Sequence, residues 1–432
     1  MFSVDRNDVV FVKPFKPTPS QVLSLSTIDN DPNLEIMCHT VFVYQANADF
    51  DVKPKDPASI IQEALSKLLV YYYPLAGKMK RETDGKLLIA CNADDSVPFL
   101  VATADCKLSS LNHLDGIDVH TGKEFALDFS SESDGGYYHP LVMQVTNSVL
   151  SSIDRVASGK NEPSVKPVWE RQLLVAKPAK EIPRSIVDKD LSAASPYLPT
   201  TDIVHVCFYV TEESIKTLKM NLIKESKDES VTSLEVLSAY IWRARFRALK
   251  LSPDKTTMLG MAVGIRRTVK PQLPEGYYGN AFTSANTAMT GKELDEGPLS
   301  KAVKQIKESK KLASENDYIW NLMSINEKLR ELNSKFEAAA GSTMVITDWR
   351  RLGLLEDVDF GWKGSVNMIP LPWKMFGYVD LVLLLPPCKL DQSMKGGARV
   401  LVSFPRAAMA KFREEMDALK HGNKVAGDAL VI

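Results

Sequence analysis

Residues 176–203, AKPAKEIPRSIVDKDLSAASPYLPTTDI, are rich in proline, serine and charge and carry no apolar repeat of either strand or helix period. A chain of 432 residues is too long for one compact core of ordinary size. The break therefore predicts an N-terminal domain over 1–175, a linker over 176–203 and a C-terminal domain over 204–432.

Both halves mix strands and helices. Asp56 can cap a helix that starts at Pro57, with Ile60, Ile61, Ala64, Leu65, Leu68 and Leu69 as its apolar face. YYYPLAG ends that helix at Pro74 and Gly77, and KLLIAC and VPFLVATA read as short strands. Beyond the linker, VHVCFYVT (204–211) reads as a strand, and Thr232-Ser-Leu-Glu235 is a capping box opening a helix through Tyr240, Ile241 and Leu249. MLGMAVGI and ARVLVSF look like interior strands, with two lysine-rich polar helices between about 297 and 340. A last helix begins at Pro405, carries Met409, Phe412, Met416 and Leu419 on one stripe, and ends near His421-Gly422. Without regular βαβ alternation, the class is α/β in the broad sense, a mixed-sheet α+β protein.

Composition narrows the function classes. The chain is 44% hydrophobic and 25% charged, with a formal net charge of -1, so it has no basic footprint for nucleic acid or a membrane surface. The start, MFSVDRNDVVFVKPFKP, lacks the pattern of a secretory leader, and no window approaches the roughly 18 apolar residues that span a bilayer. Cys38, Cys91, Cys106, Cys207 and Cys388 are scattered and without CxxC spacing. That predicts reduced, buried thiols in a cytoplasmic protein, with no disulfide framework and no metal cluster.

There is no Walker loop, GxGxxG, HExxH or GxSxG. The sharpest local feature is Asp359-Phe-Gly361-Trp362, where a carboxylate, a permissive glycine and an indole donor fall within four residues. Taken alone it is a structural turn as readily as a site.

Seven segments in order change that reading: KPTPSQVLSLSTIDN, LVYYYPLAGKMK (69–80), PVWERQLL (167–174), TSLEVLSAYIWRAR (232–245), GYYGNAF (276–282), DVDFGW (357–362) and RVLVSFPRAAMAKF (399–412). Together they resemble the BAHD family of plant acyl-CoA-dependent acyltransferases from end to end, and look most like the branch with taxane O-acyltransferases and spermidine hydroxycinnamoyl transferases. The resemblance implies two similar chloramphenicol-acetyltransferase-like domains joined by a long crossover linker, with a channel between them for acyl-CoA, a co-substrate rather than a resident cofactor, and for a polyamine or alcohol acceptor. It implies a histidine in an HxxxD motif as general base, suited by a pKa near neutrality. Trp362 would donate to the tetrahedral oxyanion, with Asp359 and Gly361 supporting it and Arg266 pairing with the aspartate of HxxxD. It places CoA contacts at Thr232, Ser233 and near Asn280, where capping and packing explain the same residues. With the near-neutral surface it also points to a monomer.

The motif's histidine is missing. In HPLVMQVTNSVLSSIDRVASGK (139–160), a strand through Leu141, Met143 and Val145 passes at once into a helical pattern at Val149, Leu150, Ile153, Val156 and Ala157, ended by Gly159. Relatives run here through a turn and a second strand into HxxxD, so on the order of 25–30 residues are absent between Thr146 and Asn147. None of His39, His113, His120, His139, His205 and His421 has aspartate four positions on. His113-Leu-Asp115-Gly116 and His120-Thr-Gly-Lys-Glu124 are decoys in a turn-rich segment, His139 is a structural residue at the strand's edge, and Asp154 has no histidine before it.

Two further departures accompany the gap. Lys363 stands where the family motif continues with glycine, a strained choice if positive φ is needed there. Gly264 stands where relatives carry aspartate, so Arg266 is expected to lack its partner and, if buried, to be costly beside a void or solvent. Loss of interior strands should expose sheet edges. A splice form or faulty gene model, a decayed paralogue and a variant using another base all fit. Two functions stay open: an acyltransferase impaired by the absent base, and a non-catalytic binder of CoA thioester or acceptor.

Overall fold

The computed structural model describes residues 2–31, 34, 38–45, 56–129, 137–148, 163–183, 188–332, 339–356, 363–371 and 380–420. In the N-terminal half, strands β1 (Val4–Arg6), β2 (Val10–Val12), β3 (Gln21–Ser24) and β4 (His39–Gln45) precede helix α1 (Pro57–Tyr71). Strands β5 (Lys78–Arg81), β6 (Leu87–Cys91) and β7 (Val97–Ala104), the short helix α2 (Val119–Lys123) and strand β8 (Met143–Ser148) follow. The Asp56 carboxylate accepts from the amides of Ala58 and Ser59, so α1 starts where the sequence places it. It ends at Tyr71, and Tyr73–Leu75 add a 3₁₀ turn.

β3, β6 and β5 form a three-stranded antiparallel sheet. A second sheet is centred on β7, whose buried run packs Val97 and Phe99 against Leu65 and Leu69 of α1. β1 and β2 share one edge of β7, and β8 lies parallel along the other, from Phe99 opposite Met143 to Ala104 opposite Ser148. The strand thus runs two residues past Thr146, where a helix was expected to begin at once. The helical pattern expected at 149–159 lies outside the described residues. Among the described residues no strand pairs with the far edge of β8.

The C-terminal half contains β9 (Ile203–Val210), α3 (Glu212–Ser226), α4 (Ser233–Ala248), β10 (Thr256–Gly264), β11 (Phe282–Thr290), α5 (Gly291–Glu296), α6 (Leu299–Leu312) and α7 (Asn316–Glu331). Then come β12 (Thr343–Asp348), β13 (Lys363–Leu371), β14 (Leu381–Leu385), β15 (Ala398–Pro405) and α8 (Arg406–Lys420). Six strands form one mixed sheet in the order β11-β10-β12-β14-β15-β9, with β10, β12 and β14 parallel. Parallel strands need cover on their faces. One face receives α4 and α8: Leu237, Ile241 and Trp242 of α4 are fully buried, and the Phe412 ring stacks on Phe404 with centroids 4.5 Å apart. Thr232 and Glu235 form the expected capping box, and Met409, Phe412, Met416 and Leu419 are buried as the stripe predicts.

On the opposite face, β13 crosses between the halves. It pairs antiparallel with β4, from Lys363 opposite Gln45 to Leu371 opposite His39, while Met368 packs on Leu383, Leu385 and Leu401 of the six-stranded sheet. Over β10 and β11 the same face is bare: Ala262, Gly264, Asn286 and Ala288 are exposed.

The segment proposed as a linker is anchored where described. Ala193 is fully buried and its amide donates to Thr256 O at 2.8 Å, and Ser195 Oγ donates to Leu249 O at 2.6 Å. Ala179 N likewise donates to Ser324 O at 2.9 Å, while Ala176 N donates to Thr27 Oγ1 at 2.9 Å, so both halves hold the segment without any sequence repeat. All five cysteines are free; Cys91 and Cys388 are buried, whereas Cys106 and Cys207 are only partly buried and Cys38 is exposed, against the expectation of burial for all five.

Candidate active site

The turn Gly276–Asn280 between β10 and β11 is where both halves converge. Gly276 has φ +81°, and a Cβ there would lie 2.2 Å from Lys166 O, so the close approach of two backbones requires glycine. Val168 N donates to Gly276 O at 2.8 Å and Tyr278 N to Val168 O at 2.9 Å, joining the turn to the PVWER segment. Trp169, Tyr278 and Tyr72 then stack edge to face in series, with centroids 4.8 and 4.9 Å apart.

A buried ion pair lies beneath these rings. The Arg171 Nη1 pairs with Asp29 Oδ2, and the two side chains are 10% and 9% exposed. Asp29 is held by its own turn: Ser26 Oγ donates to Oδ2 at 2.7 Å, and the Asn280 amide donates to Oδ1 at 3.2 Å. The Arg171 guanidinium lies 5.6 Å from the Trp169 centroid and 6.0 Å from that of Tyr277. A Cβ at Gly279 would lie 2.5 Å from Arg171 Nη1, so this position too must stay small. Burial raises the phenol pKa of both Tyr277 and Tyr278, keeping both rings neutral.

Arg266 caps the turn from the other side. Its Nη1 donates to Tyr277 O at 2.7 Å and its Nη2 to Gly279 O at 2.8 Å. The residue is exposed, and among the described residues it pairs with no carboxylate. Arg266 is thus exposed rather than buried, the solvent side of that expectation, and two backbone carbonyls accept from it. Gly264 leaves open space beside it, since a Cβ there would meet nothing within 4 Å.

The structure brings Arg266 and Asn280 to one turn. Asn280 is exposed, and its backbone amide donates to Asp29 Oδ1. Thr232 and Ser233 stand apart from them, at the head of α4 in the helical layer, where the Thr232 hydroxyl accepts from Glu235 N at 3.3 Å. Asp359, Gly361 and Trp362 lie outside the described residues. Lys363 opens β13 in extended geometry, which removes the expected strain of positive φ.

The histidines have separate surroundings. His39 Nε2 lies 3.2 Å from Leu127 O, His139 is buried with its ring 5.6 Å from that of Phe129, and His120 is exposed on α2. His205 Nδ1 lies 2.8 Å from Ser403 Oγ, and burial pushes its pKa below the ordinary value. Among the described residues no group of three His, Cys, Asp or Glu could hold a metal ion, and no helix is long and apolar enough to cross a membrane.

The Asp29–Arg171 pair was not anticipated from sequence. Both residues stand in segments that carry the family resemblance, but 142 positions separate them and no local rule pairs them.

Comparison with known proteins places this arrangement. The Transferase family pattern matches residues 2–148 and 147–419, two stretches that meet at the end of β8. Spermidine coumaroyl-CoA acyltransferase of Arabidopsis thaliana is 40% identical over 451 aligned positions, covering 96% of each chain. Since 96% of 432 residues is about 415, about 36 of those positions have no residue in this chain. Spermidine sinapoyl-CoA acyltransferase of the same plant is 39% identical, covering 95% of this chain and 96% of the relative. Baccatin III:3-amino-3-phenylpropanoyltransferase of Taxus cuspidata is 29% identical, covering 99% and 98%. The crystal structure of vinorine synthase superposes with a TM-score of 0.71 at 19% identity, covering 97% of this chain and 98% of that one. TRI101 of F. sporotrichioides, complexed with coenzyme A and T-2, gives 0.70 at 15% identity over 91% and 97%. The chain belongs to the Transferase family, the BAHD acyl-CoA-dependent acyltransferases.

Proposed function

We propose that this chain is built to move a hydroxycinnamoyl-type acyl group from CoA to an amine of a polyamine such as spermidine, and that as it stands it turns over slowly or not at all. The acceptor class rests on one observation: the two spermidine acyltransferases are 40% and 39% identical over nearly the whole chain, against 29% for the taxane relative. An alcohol acceptor is the second choice.

In this reading the neutral amine attacks the thioester carbonyl, forming the C–N bond. The oxyanion collects the Trp362 indole donor, the C–S bond breaks, and the ammonium proton leaves while the CoA thiolate is protonated. Asp359 and Gly361 are assigned the supporting role beside Trp362, and Arg266 braces the Tyr277 and Gly279 carbonyls. CoA is assigned to Thr232, Ser233 and Asn280. The bare face at Ala262, Gly264, Asn286 and Ala288 gives room for the ligands. No histidine has the HxxxD spacing to take the amine proton, and the alignment with the spermidine coumaroyl-CoA acyltransferase holds about 36 positions that this chain lacks. Losing a general base costs about 10²–10⁴ in rate.

Domains over 1–175 and 204–432, a cytoplasmic location and a monomer in dilute solution complete the proposal. Purified protein with p-coumaroyl-CoA and spermidine tests it, and turnover equal to that of an intact spermidine acyltransferase refutes the impairment. The competing reading, a non-catalytic binder, is favoured by the missing base. Calorimetric titration with CoA separates the two: saturable binding without any turnover supports the binder.

A further inference from the structure

Arg399 on β15 is 2% exposed, and its guanidinium donates in three directions. Nε reaches Pro386 O at 2.8 Å, Nη2 reaches Met368 O on β13 at 2.9 Å, and Nη1 reaches Asp115 Oδ1 at 2.7 Å. Asp115 comes from the N-terminal half, 284 positions away, and its side chain is 8% exposed. The planar guanidinium fork can serve three acceptors at fixed angles, which an ammonium cannot.

The loop that presents Asp115 is held in an unfavourable shape. Asn112, His113 and Leu114 have φ of 49°, 51° and 62°, three successive non-glycine residues in the left-handed region. L residues leave that region unless their surroundings hold them there. The holding groups come mainly from strands of the C-terminal half. Asn367 of β13, fully buried, donates its Nδ2 to His113 O at 3.0 Å. Leu114 is buried with Val366 of β13 and Val43 of β4. Gly116 approaches β9 so closely that a Cβ would lie 3.2 Å from the Tyr209 hydroxyl.

We propose that Arg399 is a positioning residue: it clasps the 112–116 loop of the N-terminal half and the backbone of β13 to the six-stranded sheet, fixing the crossing strand against both halves at once. In the sequence Trp362, proposed above as the oxyanion donor, immediately precedes β13, so holding that strand holds the start of the segment next to the donor. This catalytic consequence rests on the function proposed above, whereas the clasp itself does not.

Hydrogen exchange by mass spectrometry on the full chain tests it, with Asp115→Ala, Arg399→Met and Arg399→Lys. Asp115→Ala leaves the other two arginine contacts in place and so remains informative if Arg399→Met does not fold. Expected is exchange faster by about ten-fold or more in residues 39–45, 108–117 and 363–371, with 236–248 and 256–264 unchanged, and no rescue by lysine. Unchanged exchange, a uniform rise, a rise confined to 203–210 and 398–405, or rescue by lysine overturns the clasp. Turnover does not enter this readout, so a chain without acyltransferase activity still tests the clasp.

Discussion

Replacing Asp29 with alanine removes the only carboxylate within reach of Arg171 among the described residues and leaves that guanidinium buried between Trp169 and Tyr277. With both side chains about one-tenth exposed, solvent cannot compensate, and breaking such a pair by deleting one partner costs about 3–5 kcal/mol. The Ser26 hydroxyl and the Asn280 amide lose their acceptor in the same step. Arg171→Met is milder, about 1–3 kcal/mol, because those two donors still satisfy Asp29. The double variant should cost less than Asp29→Ala alone, because it also removes the charge that the single change leaves buried and unpaired. Urea unfolding followed by far-ultraviolet circular dichroism measures all three at comparable slopes. Against a total of about 5–15 kcal/mol, the alanine variant should unfold at markedly lower urea. A loss below about 1 kcal/mol for Asp29→Ala, or a larger loss for Arg171→Met, would refute the claim that this pair anchors the PVWER segment to the Ser26–Asn30 turn.

Three other outcomes are expected. Inserting the matching segment of an intact spermidine acyltransferase between Thr146 and Asn147 should raise turnover by about 10²–10⁴, measured as CoA thiol release, and no gain would remove the missing base as the cause. The uncharged strand β8, MQVTNS, with an edge that no described strand pairs, should drive association as concentration rises; Thr146→Lys should suppress it in light scattering, and an unchanged scattering profile would count against the open edge. His205 has a pKa lowered by burial, so the unfolded chain binds the proton more readily; its contribution to stability is complete above about pH 6.5 and is lost as pH falls below that value. His205→Gln should therefore lose less melting temperature than the parent between neutral and mildly acid pH, and parallel losses would exclude His205 as the titrating group.

Local chemistry made much of the fold legible. Asp56-Pro57 and Thr232-Glu235 mark helix starts because a cap needs only residues three positions apart. The stripe Met409-Phe412-Met416-Leu419 marks a buried face because helix periodicity lies within the chain. The absence of an HxxxD histidine is likewise a fact of sequence that no folding can amend. The motif order gave the family, and with it the expected chemistry at Trp362.

Tertiary structure decided what depends on distant partners. Cysteine spacing could not say that Cys38 ends exposed, nor could the Gly264 change choose between a void and solvent beside Arg266, which ends exposed with two carbonyls as acceptors. Asp115 reads as part of a decoy turn until Arg399 arrives 284 positions later, and Asp29 waits 142 positions for Arg171. The pairing of β4 with β13 joins the two halves in the same way. Caps and periodic faces are fixed by neighbours along the chain, whereas buried charges and crossing strands are fixed by whichever groups the fold brings near enough to neutralise or pair with them.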